Sequence, residues 1–365
     1  VLSNLAKKTD QIIAILNVLT LILLPIGVYL SINQPSFYIG KANLYSKQIL
    51  PLSSILIFLN LIFITKYKPK LQFIPQTPIH QALLLFTSVT AIFSLFSFPQ
   101  NTLWYFSGTA LCINLLNTDS SETHHLSKTI WITTAIISII ALLQFILQSD
   151  IGLQIIGEPH INSSIKGIAK IKTVNIIRAY GLFQHPNILG AIITLSLFIS
   201  PYQKIKNNLP LLLGLISSFS ITSVMATSIK FIRSKKDILI ASGILISLIL
   251  FRNLIQNPQS ILQRIQEYTN LIIETKQLKP WEIQPIHNTF LLSLTKFGPI
   301  HFITLLYLLF TTYKKRTKFT LALIILFLLD HYFLTNYSAY LYFVTCVYII
   351  GTNHYTPSKN PSMTS

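Results

Sequence analysis

The sequence predicts an all-α integral membrane protein of about twelve transmembrane helices, and three observations carry that prediction. Of 365 residues, 51% are hydrophobic and 10% are charged, with a mean hydropathy of +0.58. A soluble domain carries about a quarter charged residues, so this chain lacks the charge to cover a water-facing surface. Apolar runs of spanning length or a little less recur without a domain-sized polar insert, and a helix needs about 20 apolar residues to cross the hydrocarbon core. Finally, 28 Lys and Arg against 10 Asp and Glu give a net charge of +18, clustered between the apolar runs. That placement marks cytoplasmic loops rather than a nucleic-acid surface.

Lys7 and Lys8 precede the first run, residues 12–32, and no small-residue cleavage site follows it. It reads as a first anchor helix and not as a removed signal peptide. Runs at 49–65, 80–98, 102–116, 129–148 and 187–200 bring the count to six. The stretch 209–232 admits two readings. As one helix, it would put Lys230, Arg233, Lys235 and Lys236 on the opposite side from Lys204 and Lys206, against the positive-inside rule. As two short helices turning near Ser220 to Ser223, it makes both clusters cytoplasmic, together with Lys66, Lys68, Lys70 and the run Lys314, Lys315, Arg316, Lys318. The second reading is preferred, although 24 residues is short for two full spans. With 238–251, 289–311, 319–335 and 337–351 it gives twelve spans in the inner (cytoplasmic) membrane and both termini in the cytoplasm.

The chain then forms a single polytopic membrane domain, 1–365, with long extracytoplasmic loops at 150–186 and 252–286 and a disordered cytoplasmic tail at 352–365. Long loops in a compact membrane protein are usually functional. Cys112 and Cys346 fall in apolar stretches and offer neither a disulfide framework nor a metal spacing. No DxD or HExxH pattern occurs, so neither a metal nor a cofactor is expected.

Where the first long loop re-enters the membrane lie Arg178, Tyr180, Gly181, Leu182, Phe183, His185, Pro186 and Asn187. Pro186 suits the first turn of a helix, so the backbone N–H groups after it and the Arg178 guanidinium before it are able to face one anion. The planar fork of Arg suits phosphate or pyrophosphate; the plainer reading is an interfacial Arg that snorkels to headgroups. His287 and Asn288 open the next helix, where a His titrates near neutrality and accepts a proton from a hydroxyl. Gly298 and Pro299 lie a few turns further on and are expected to kink that helix. Asp330 and His331, near the outer end of the eleventh span, form an expensive ionisable pair and hence a functional candidate, with a structural hydrogen bond as the competing account. Lys166, Lys170 and Lys172 make the first loop basic, either as a solvated face or as an attractor of anionic lipid or glycan phosphate.

Taken together these residues resemble the O-antigen ligase and O-antigen polymerase family, polytopic membrane glycosyltransferases that transfer or extend lipid-linked polysaccharide. The family's Arg, three residues, Leu motif corresponds to Arg178 and Leu182, leading into Gly181, Phe183, Pro186 and Asn187. Its His, then Asn, Ser or Gln, nine residues, Gly motif corresponds to His287, Asn288 and Gly298. The resemblance covers roughly residues 176–311; the first five helices match only in hydrophobicity. The chain departs from the pattern at His301, where the family has Gly, Thr or Tyr, at Ile221, where a Ser-Arg pair often stands, and at Lys296, where an acid is frequent.

The resemblance implies a type C glycosyltransferase-like fold acting at the outer membrane face. The donor would be an undecaprenyl-pyrophosphate-linked glycan and the acceptor a sugar or protein hydroxyl. Arg178 and Arg264 would stabilise the leaving group and His287 would orient or deprotonate the acceptor. Asn288, His185, Asn187, Tyr180, Asp330, His331 and Lys172 are expected to line the substrate site. A polymerase joining lipid-linked repeat units is the alternative, followed by a membrane transporter or flippase, which should show paired repeats and midplane charges.

Overall fold

The computed structural model describes residues 2–26, 29–31, 37–38, 49–68, 75, 77–97, 102–118, 122–165, 168–171, 174–202, 204–232 and 288–352. These residues are mostly helical, with almost no sheet, in keeping with the all-α class.

Helix α1 (Leu2–Leu23) stops two residues before Pro25, whose ring removes a donor and clashes with the preceding turn. The helix expected over 12–32 starts earlier and, with Pro25 following, ends at Leu23, inside the apolar run. Beyond it lies a small antiparallel sheet of order β2-β1-β3, built from β1 (Tyr29–Ser31), β2 (Phe37–Tyr38) and β3 (Ile49–Pro51). Tyr29 pairs with Tyr38 on one side and Pro51 on the other. Helical readings of residues 29–31 and 49–51 are corrected accordingly: with Pro25 closing one helix and Pro51 immediately preceding the next, these short segments, which include Tyr29 and Ile49, pair as strands.

Four antiparallel helices follow: α2 (Leu52–Tyr67), α3 (Pro78–Ser97), α4 (Thr102–Leu116) and α5 (Thr123–Leu147). A capping loop then carries a 3-10 turn at Gln154–Ile156 and a hairpin of β4 (Lys170–Ile171) and β5 (Ile176–Ile177). Next come α6 (Pro186–Ile199), α7 (Leu209–Ser218) and α8 (Ile221–Phe231). The stretch 209–231 is thus two helices, separated where Phe219 takes a left-handed conformation at φ 46°. After residue 288 stand α9 (Thr289–Leu292), a π-turn (Ser293–Phe297), α10 (Pro299–Lys315), α11 (Thr317–Leu329), α12 (Tyr332–Thr335) and α13 (Tyr337–Gly351). Every residue of α13 is buried, and α3, α4, α5, α6, α10 and α12 pack around it.

The two ends of the bundle differ in chemistry. At one end lysines donate to the carboxyl ends of neighbouring helices: Lys68 to Asn117 O after α4, Lys230 to Leu197 O of α6, Lys315 to Gly351 O of α13, and Lys318 to Ile232 O after α8. The last carbonyls of a helix lack intrahelical partners and carry a partial negative charge, so an ammonium satisfies both needs. Because α6 arrives at this end, α7 leaves it and α8 returns to it, Lys204, Lys206 and Lys230 share it. The opposite end holds Arg178 and the amino ends of α6, α8, α9 and α13.

By length and composition two helices, Pro78–Ser97 and Thr123–Leu147, are long and apolar enough to cross a membrane, and six more apolar helices are shorter. Twelve full-length spans are not reached among the described residues, and the run 238–251 lies outside them. The 10 residues of α7 rise only about 15 Å, half of a hydrocarbon core of about 30 Å. The outward faces of α3 and α5 nonetheless expose Ile92, Leu95, Phe96, Ile136, Ile139 and Ile146, a surface suited to lipid.

Candidate functional site

The site is built outward from α5. Gln144, buried in the last turns of α5, accepts from Tyr180 N at 3.0 Å and Gly181 N at 2.8 Å, and donates to Gly181 O at 2.9 Å and Glu158 Oε1 at 2.8 Å. Glu158, itself fully buried, accepts from the backbone of Ile151 at 2.8 Å and Leu153 at 2.5 Å. One amide thus ties the beginning and the end of the capping loop to the bundle. Gly181 sits at φ 59°, and a Cβ there would lie 2.7 Å from Ile137 Cγ2, so the loop's close approach to α5 requires glycine.

This anchoring fixes Arg178, only 6% exposed. Its Nε donates to Ser218 O at 2.9 Å, the carboxyl end of α7, and its Nη2 donates to Asn187 Oδ1 at 2.6 Å, in the first turn of α6. Ala179 N–H also donates to Ser217 O at 3.0 Å, so the loop closes the gap between α6 and α7. Burial pushes the guanidinium's pKa down, while Tyr332, Tyr180 and Asp330 act in the opposite sense. The group stays charged, as arginine does in proteins, and draws its compensation from those neighbours. Burial also raises the Tyr180 hydroxyl, against the pull of the Ala169 N–H and Arg178.

His185 caps α6. Its Nδ1 accepts from Asn187 N at 3.2 Å and lies 3.2 Å from the Tyr332 hydroxyl. Since a backbone N–H only donates, Nδ1 is an acceptor, and the neutral ring carries its proton on Nε2. Tyr332 opens α12, next to Asp330 and His331, which are 2% and 3% exposed. His331 Nδ1 lies 2.6 Å from Thr335 Oγ1. The Asp330 carbonyl accepts from Thr289 N at 3.1 Å and Thr289 Oγ1 at 2.7 Å, while Asn288 Nδ2 donates to Leu328 O at 3.2 Å and Asn288 Oδ1 caps Leu291 N at 3.0 Å.

Arg178, Tyr180, His185 and Asn187 are therefore brought together, with Asp330, His331 and Asn288 alongside. His287, Arg264 and Lys172 lie outside the described residues, as does Lys166. Of the positions that depart from the family pattern, Ile221 begins α8, Lys296 belongs to the π-turn, and His301 is buried in α10. Gln144, Glu158, Ser218 and Tyr332 were not singled out from the sequence. Gln144, which falls inside the run 129–148, was the one signal that pointed to any of them.

Among the described residues no group of three or more His, Cys, Asp or Glu side chains is placed to hold a metal ion. What these residues define is a class: a helical, membrane-associated bundle with one buried guanidinium, Arg178, in a polar cluster at the end opposite the lysines that cap its helices. No family model, curated protein or solved structure matches the chain.

Proposed function

We propose that the protein is a metal-independent membrane glycosyltransferase of the O-antigen ligase kind, taking a glycan from an undecaprenyl-pyrophosphate-linked donor to a sugar or protein hydroxyl. The observation that carries this reading is the buried Arg178, held by Asn187 and Ser218 at the amino end of α6. A positive guanidinium and a helix amino terminus converging on one place suit a pyrophosphate. In the reaction the acceptor oxygen attacks the anomeric carbon, the bond from that carbon to the phosphate oxygen breaks, and pyrophosphate leaves with the electron pair. Arg178, with Arg264, offsets the charge that develops there. His287, next in sequence to Asn288, takes the acceptor proton. The lysine-rich end faces the cytoplasm and the Arg178 end faces outward across the inner membrane.

The test is transfer by purified protein from a fluorescent undecaprenyl-pyrophosphate glycan, in the presence and absence of chelator. Product formation that survives chelation and is lost in Arg178→Lys supports the reading; no product with any acceptor rejects it. In a deletion strain, accumulated lipid-linked polymer indicates ligase activity, and single repeat units indicate the alternative, a polymerase that takes a second lipid-linked glycan as acceptor. The interruption between α9 and α10 beside the buried His301 favours a second reading, transport, because discontinuous helices with polar groups mark transporter sites. Protein-dependent flux of lipid-linked glycan across proteoliposomes, with no transfer product, would favour that reading.

A further inference from the structure

His301 stands where the helix that starts at Thr289 is interrupted. It is 0% exposed, and both ring nitrogens are engaged: Nε2 lies 2.9 Å from Thr90 Oγ1 on α3, and Nδ1 lies 2.6 Å from Ser293 Oγ in the π-turn. The direction of each bond follows from the neighbours. Thr90 gives its hydroxyl proton to Phe86 O at 2.7 Å, so it accepts from His301 Nε2–H. Ser293 then donates to Nδ1, and the ring is neutral with its proton on Nε2. The ring is stacked on Phe297 at 4.6 Å and tilted against Phe86 at 5.0 Å. A second tie runs from Ser97 Oγ to Lys296 O.

These contacts clasp the π-turn to α3 at both its ends. Gly298, at φ 91°, and Pro299 break the backbone ladder just beyond it, so the turn and α9 are not held by helix continuity with α10. Single π-turns interrupting α-helices appear frequently at functional sites. Upward from the turn, α9 carries Asn288 as its cap and Thr289, which is bonded to Asp330 O, and so reaches the Arg178 cluster.

We propose that His301 is a positioning residue, a latch that fixes the segment 288–297 against α3 and thereby sets the height of Asn288 and Thr289 beside Asp330. This deepens the transferase reading and rests on it for the catalytic consequence alone. The latch itself is a property of the fold, and it arises at a position where the chain departs from the family it resembles.

The test is amide hydrogen exchange on the full-length protein in detergent, read peptide by peptide, combined with transfer kinetics. His301→Phe keeps a ring between Phe86 and Phe297 but removes both hydrogen bonds. Exchange in residues 289–297 should rise about tenfold, as expected for one or two lost hydrogen bonds, while α3 and α6 stay protected. Ser293→Ala, which cuts only the bond to Nδ1 and leaves the ring and its bond to Thr90, should give the same local effect more weakly. His301→Asn, which keeps an acceptor toward Ser293, should restore part of the protection. In kinetics kcat should fall with donor KM little changed. Unchanged exchange in 289–297 in both His301→Phe and Ser293→Ala, or a rise spread equally over α3 and α10, would overturn the latch and leave His301 as core filling. A local rise with transfer undiminished would uphold the latch and instead remove the link to catalysis.

Discussion

The guanidinium of Arg178 donates through Nη2 to Asn187 Oδ1 at 2.6 Å while its Nε reaches Ser218 O at 2.9 Å, so one side chain spans the amino end of α6 and the carboxyl end of α7. A lysine ammonium at the same place is a point charge and cannot hold a planar fork in two directions. In Arg178→Lys each lost charge-assisted contact should cost about 1.5–3 kcal/mol, and transfer should fall by one or more orders of magnitude. Lys206→Ala, at the far end, should retain it. Equal activity in the two variants, measured with the fluorescent donor, would reduce Arg178 to an interfacial anchor.

Gln144→Leu should damage the site without touching it. The substitution keeps a helix-forming side chain of similar size but strips the partners from Tyr180 N, Gly181 N and Gly181 O. Buried backbone groups left without partners cost about 1–3 kcal/mol each. Thermal unfolding in detergent should shift downward, and the segment 150–185 should become sensitive to protease before the helices do. A Tm equal to that of the parent would show that water replaces the amide at no cost.

The capping loop also carries a pH response. Partial burial alone would raise the Asp150 carboxyl, but the Ile161 N–H at 3.0 Å, the Gln154 amide at 2.8 Å and His160 at 2.6 Å together hold it below the ordinary carboxylate range. A depressed folded pKa contributes stability that is fully present above the unfolded value of about 3.9 and is lost as pH falls through the folded one. Exchange protection of Asp150 to Ile161 should therefore hold at neutral pH and fade only well into acid. In Asp150→Asn it should be lower at neutral pH and flat across that range. A parent profile that already declines at mildly acidic pH would assign the response to a different group.

Sidedness is testable in cells. Single cysteines at 163 and 174 should react with an impermeant maleimide added outside, and cysteines at 206 and 314 only after permeabilisation. Labelling of position 206 in intact cells would reverse the proposed orientation.

Sequence patterns carried the bundle's polarity further than its helix lengths. The clusters around Lys204 and Lys230 required an even number of passages between them, and the break at Phe219 supplies one. The small polar residues between Ser217 and Ser223, inside the apolar stretch 209–232, marked the turn between two short helices, although hydropathy alone did not give the break at Phe219 itself. Hydropathy also misread residues 29–31 and 49–51, where tertiary pairing overrides helix propensity. In the site, Arg178, His185 and Asn187 were legible because a charge and two polar groups surround a helix-starting proline. Tyr332 was not: a tyrosine near a helix end has many uses, and only the fold brings it within 3.2 Å of His185, 147 positions earlier.

The lysines that close α4, α6, α8 and α13 are drawn from the same basic clusters on which the proposed orientation rests. A molecule inserted upside down would not be a working mirror of the correct one. Its ammonium groups would have been carried to the wrong compartment, each still required by a carbonyl terminus, and the bundle could form only by leaving that compartment's charge bias unsatisfied. In the proposed orientation insertion and folding would be proofread by one set of side chains, so neutralising substitutions at Lys230 or Lys315 should yield less protein rather than inverted protein.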